Sequence, residues 1–116
     1  MHTDIKTFDD ACKALNIDSS LPDFSRTPKL QPSLEAQYQL VIITHALNES
    51  WEPNWKDEDE PKYQLFWDME DGGFSLHYVS AYYRVTSVPS CLCFKSREIA
   101  TYVVNQFIDI YNEYLN

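Results

Sequence analysis

Glycine is almost missing from this chain: two residues in 116, and both sit together at Gly72-Gly73. Phosphate-cradling loops and dinucleotide fingerprints need glycines for close backbone approach, and no such motif occurs. Cysteine is scarce too, and the three present (Cys12, Cys91, Cys93) make an odd count, which suits reduced thiols better than a disulfide framework. No long hydrophobic run exists; the longest, LVIIT at 40–44, is far too short to span a bilayer. The opening MHTDIKTFDDACKAL lacks the basic-then-apolar pattern of a secretory leader. A cytoplasmic location is expected.

Positive charge is the last deficit. The net charge is −9, and residues 48–71 carry nine acids against Lys56 and Lys62. Electrostatic binding of a phosphate backbone needs the opposite sign, so nucleic-acid affinity is not expected.

What the chain does have is apolar and aromatic mass: 44% hydrophobic residues and 15% aromatics. That composition folds, and this length makes one domain, residues 1–116. Residues 3–16 read as a short helix on the stripe Ile5, Phe8, Cys12 and Leu15, with Thr7 and Asp10 at cap spacing. Residues 17–33 hold three prolines and four serines, a surface connector. Ser33 suits the N-cap of a second helix running to about Asn48, with Leu34, Tyr38, Val41, Ile42 and His45 as its buried stripe and Ile43, Ala46 and Leu47 widening it.

After Pro61 the period changes from helical to alternating. KYQLFWDME sets Tyr63, Leu65, Trp67 and Met69 against a polar side broken only by Phe66. Asp71-Gly72-Gly73 signals a hairpin turn into FSLHYVSAYYRV, where Phe74, Leu76 and Tyr78 share a face. CLCF reads as a third strand, with Leu92 and Phe94 on one face and both cysteines on the other. Ser96 then caps a final helix lined by Ile99, Val103, Phe107, Ile110 and Tyr114. The expected order is ααβββα: an α+β domain with a small three-stranded antiparallel sheet and about three helices packed on one face.

Few constellations carry chemistry. Cys91 and Cys93 would need two more ligands to hold a metal, and none of His2, His45, His77 or Cys12 stands at zinc-like spacing. They read as small buried hydrophobes. Lys95, Ser96 and Arg97, where a helix begins, are an anion-site candidate, with a capping serine and two solvated cations as the plainer reading. Asp57–Glu60 lacks the spaced ligands and tight turn of a calcium loop. His45 reads as a core or half-buried residue, and His77 has no nucleophile at a known spacing. No catalytic residue, cofactor or metal is assigned, and no enzymatic activity is expected.

The aromatics between residues 51 and 83 remain. Alternation cannot bury them all, because Phe66 opposes Trp67 and Tyr82 opposes Tyr83. Aromatics rimmed by acids describe a protein-binding surface. The candidate residues are Trp51, Trp55, Asp57, Glu58, Asp59, Glu60, Phe66 and Tyr83.

The segments KTFDDACKALNI, ALNESWEPNW, KYQLFWDME and CLCFKSREIATYVVNQFIDIYNEYL resemble small uncharacterised proteins encoded by phages, prophages and other mobile elements of gut Bacteroidetes. The resemblance covers nearly the whole chain. It departs at Ser50, where that family has glycine, and at Gln64-Leu65, where it has a Tyr-Pro pair. It implies a bacterial or viral cytoplasmic setting and brings no activity, cofactor or catalytic residue. The leading expectation is a non-enzymatic accessory protein binding a host or phage protein. A nucleic-acid-binding or structural phage protein, using Lys95, Arg97 and Arg84, is the second. A small metal-dependent hydrolase using His77 with Asp68 or Glu70 is the third.

Overall fold

The computed structural model describes residues 2–116. The fold is α+β, with helices α1 (Phe8–Ala14), α2 (Gln31–Leu47) and α3 (Arg97–Leu115) and one antiparallel hairpin, β1 (Lys62–Glu70) and β2 (Gly73–Tyr82). α3 packs along the hairpin's inner face, α2 packs against α3, and α1 lies on α2.

Local chemistry fixes the helix ends. Thr7 caps α1 by accepting from the Asp10 N–H at 3.1 Å, and the Asp10 carboxylate accepts from the Lys6 N–H at 3.0 Å. The Lys6 N–H bond, with lesser help from Thr7, holds the Asp10 carboxyl below the usual carboxylate range. α1 is shorter than the expected helix over residues 3–16, because His2–Asp4 forms a separate 3₁₀ turn and Asn16 adopts a left-handed conformation, φ 57°. α2 starts two residues before the expected cap. Pro32 occupies its first turn, where a missing N–H costs nothing, and the Ser33 hydroxyl instead donates to the Tyr114 carbonyl.

The buried stripe of α2 matches the expected one in part. Ile43, Ala46 and Leu47 are buried as expected, together with Ala36, Leu40 and Thr44, whereas Leu34, Tyr38, Val41 and Ile42 are half-exposed and His45 is exposed. Apolar residues extend around most of this helix, so periodicity alone cannot choose the face; contact with α1 and α3 chooses it.

The third strand does not form. Ser90–Leu92 is a 3₁₀ turn following Pro89, and only Phe94 pairs with β1, exchanging both backbone bonds with Tyr63 at 2.9 Å. The flanking backbone is satisfied by a side chain rather than a strand. Asn48, at the end of α2, donates to the Cys93 carbonyl at 2.9 Å and accepts from the Lys95 N–H at 3.1 Å. The turn also separates the cysteines: Cys93 is buried and Cys91 is exposed, so only one of them packs as a hydrophobe.

The hairpin has a two-residue Asp71-Gly72 loop between the paired Glu70 and Gly73. Tyr63, Leu65 and Trp67 on β1 face the helices with Val79 and Leu76 of β2, and the Trp67 ring lies 4.8 Å from that of Tyr111. Burial, with Tyr114 beside it, pushes the Tyr111 phenol well above its usual range. The register slips between Phe66 and Trp67: Phe66 pairs with Tyr78 and Trp67 with Leu76, leaving His77 as the extra residue of a bulge. Leu76 and Tyr78 therefore face opposite sides of the sheet, contrary to simple alternation.

Candidate functional site

The acidic segment before β1 is organised around a buried cation. Lys62, expected on a polar exposed side, has no solvent exposure. Its ammonium donates to the carbonyls of Asp57 and Glu60 at 2.9 Å and of Tyr83 at 3.0 Å. The Glu60 carboxylate lies 3.5 Å away, and the Trp55 ring covers the ammonium at 5.3 Å from its centroid. Three carbonyls, a carboxylate and an aromatic face replace the water a buried charge gives up. One side chain thus ties the acidic loop and the end of β2 to the start of β1.

The loop has its own turn chemistry around that anchor. Asp57 accepts from the Asp59 N–H, Asn54 from the Lys56 N–H, and Glu60 from the Asn54 N–H. Trp55 donates its indole N–H to the Ser90 hydroxyl at 2.8 Å. Asp57, Glu58 and Asp59 point to solvent, with Glu58 bridging to Arg84 at 3.0 Å.

Gln64, the next residue on the outer side of β1, is also fully buried. Its amide accepts from the Ser87 N–H and hydroxyl and donates to the Val85 carbonyl at 3.0 Å. This folds residues 83–88 back over the stem of the hairpin. Beyond it lies an aromatic group. Phe66 stacks on Tyr78 with centroids 4.7 Å apart, and Tyr82 lies 5.9 Å from Phe66. Tyr78 and Tyr83 are each more than two-fifths exposed, and Val85 more than half. Asp68, Glu70 and Asp71 are exposed at the turn end of the hairpin, and the Asp57–Asp59 acids stand at its stem. The outer face is an aromatic patch with carboxylates at both ends.

The sequence candidates divide accordingly. Phe66 belongs to this patch, Tyr83 is exposed just past the end of β2, and Asp57, Glu58, Asp59 and Glu60 lie at the stem. Trp55 acts from behind, as the lid on Lys62. Trp51 lies elsewhere, in a groove of about 420 Å³ with Val41, Ile42, His45, Pro53 and Cys91. Lys95, Ser96 and Arg97 do not converge on a shared point. Ser96 accepts from the Ile99 N–H as the α3 cap, and Lys95 lies 3.7 Å from Glu49. Arg97 stacks 5.4 Å from the Tyr63 ring centroid and donates to the Val79 carbonyl at 3.0 Å. Arg97 is exposed and Lys95 half-buried, so both cations stand near solvent as expected, each with a partner on the fold.

Sequence reasoning missed Lys62, Gln64, Tyr78 and Tyr82. The polar identity of the first two hid their burial, and the bulge hid the face of Tyr78. Phe66 among polar neighbours was the one signal that the outer side is covered.

His77, Asp68 and Glu70 are exposed. Among the described residues no group of three or more His, Cys, Asp or Glu side chains is placed to hold a metal ion, and no helix is long and apolar enough to cross a membrane. Comparison with known proteins finds no matching family model, curated protein or solved structure.

Proposed function

We propose that this chain is a non-enzymatic accessory protein of a phage or mobile element that binds a basic partner protein through the outer face of its hairpin. The observation that carries this reading is the stacked Phe66–Tyr78–Tyr82 group, with Tyr78 exposed and Phe66 and Tyr82 half-buried, and acids at both ends of the same face. Aromatic side chains provide large contact area at small entropic cost, and a charged rim selects and steers a partner of opposite sign. The net −7 of residues 48–71 makes that partner basic. The resemblance of four segments to Bacteroidetes mobile-element proteins supplies the biological setting, with a host or phage protein as the partner.

The test is affinity capture of tagged protein from a Bacteroides lysate, with and without nuclease treatment, with wild type beside Tyr78→Ala/Tyr83→Ala. Both tyrosines are exposed, so the double variant is expected to fold and to lose the partner. Recovery of nuclease-sensitive material alone, or equal capture by the variant, overturns the reading.

A further inference from the structure

The two edges of the hairpin differ in what borders them. Along β2, α3 closes the Phe74 backbone and the Val79 carbonyl, while no hydrogen bond among the described residues closes the outward groups of Leu76 and Ala81. Asn112 accepts from the Phe74 N–H at 2.7 Å and donates to its carbonyl at 3.4 Å, and Arg97 donates to the Val79 carbonyl at 3.0 Å. Along β1, Tyr63 is closed by Phe94. Backbone groups turn to alternate sides along a strand, so Leu65, Trp67 and Met69 point theirs the same way as Tyr63, away from β2. Among the described residues no other segment pairs with those three. An open edge of about 14 Å is left.

Natural edges are usually blunted by lysine or proline. This one carries Asp68 and Glu70, both exposed, with Met69 56% exposed between them. A second copy pairing antiparallel here would bring like charges together, which is unfavourable. A basic strand would meet opposite charge.

We infer that β1 accepts an extended strand from the basic partner, which pairs with the backbone of Leu65, Trp67 and Met69. The inference rests on the binding reading above and adds the mode of engagement. On the outer face the incoming strand opposes Glu70, Asp68 and Phe66 in turn. The recognised pattern is basic, any, basic, any, apolar or aromatic.

The probe is a synthetic peptide, Thr-Lys-Thr-Lys-Thr-Phe-Thr-Val, with two controls: the same peptide N-methylated at alternate residues, and one with glutamate replacing lysine. Amide exchange in the full chain and titration calorimetry give the readouts. The unmodified peptide is expected to slow exchange at Leu65, Trp67 and Met69 by about tenfold or more, and neither control should do so. Met69→Pro removes an N–H the hairpin does not use, at an exposed side chain, and is expected to weaken binding by about tenfold. Binding that survives N-methylation, or that leaves these three amides unprotected, overturns strand addition and leaves the basic-partner reading standing. Absence of binding by the unmodified peptide at millimolar concentration also overturns it, whereas partner capture independent of Tyr78 and Tyr83 overturns the reading beneath it.

Discussion

The Lys62 ammonium lies 5.3 Å from the centre of the Trp55 ring, so the first residue of β1 and the middle of the acidic loop form one unit. Lys62→Met keeps the length of the side chain but strands the Asp57, Glu60 and Tyr83 carbonyls. The expected loss is about 2–4 kcal/mol, the cost of unsatisfied buried groups. Urea denaturation checks the stability, and limited proteolysis should show new cleavage within residues 52–61. A variant with wild-type midpoint and no new cleavage contradicts the anchoring role.

Gly73 and Asn112 fit each other closely. A Cβ at Gly73 would lie 2.6 Å from Asn112 Oδ1, and Gly73 has φ +154°. Gly73→Ala is therefore expected to displace Asn112 and cost about 1–3 kcal/mol. Asn112→Ala should leave the Phe74 backbone open without the clash. Both variants are expected to self-associate more than wild type in size-exclusion chromatography, because the β2 edge loses its guard.

Ser50 has φ 71°, a left-handed conformation that glycine adopts freely and other residues adopt at a cost of about 1 kcal/mol. Ser50→Gly should raise thermal stability by up to about 1 kcal/mol, less the extra entropy glycine gains in the unfolded chain. A lowered melting temperature would show that the Ser50 side chain contributes more than its backbone strain costs.

The thiols should react in two classes. Burial pushes the Cys12 and Cys93 thiols above their ordinary range, keeping them protonated and unreactive at neutral pH, while Cys91 is exposed. Titration of the native protein with a thiol-reactive disulfide should show a single fast equivalent, abolished by Cys91→Ser, and two more on unfolding. Fast reaction of a second thiol in the native state would contradict the burial of Cys93.

The elements with strong local signals were legible in the sequence: Thr7 and Ser96 as caps, the Asp71-Gly72 turn, the three helices and the alternation that opens β1. The failures share a physical cause, in that a tertiary partner decided what local pattern could not. Asn48 takes the backbone bonds that a third strand would have offered at Cys93 and Lys95. Lys62 and Gln64 are polar yet fully buried, because each side chain folds a neighbouring segment over itself. On α2, packing picked one face of a helix that is apolar almost all round. Aromatics in excess of the core must surface somewhere, and the exposed Tyr83 and half-buried Phe66 show that part of the excess was legible. The bulge that aims Tyr78 has no signature in the residues that form it.

That bulge works as a change of phase. On the turn side of His77, Phe74 and Leu76 show one parity; on the stem side, Tyr78, Ser80 and Tyr82 show the other. A single strand thereby serves the core with its first half and the exterior with the even-numbered residues of its second half. Regular pairing with the exposed His77 kept in the ladder would invert that second half: Tyr78, Ser80 and Tyr82 would point at α3 and the aromatic patch would be dismantled. Deleting His77 would instead make Leu76 and Tyr78 adjacent residues on opposite faces, so the patch would survive without the bulge. The bulge absorbs one residue and so keeps the two surfaces of this hairpin distinct.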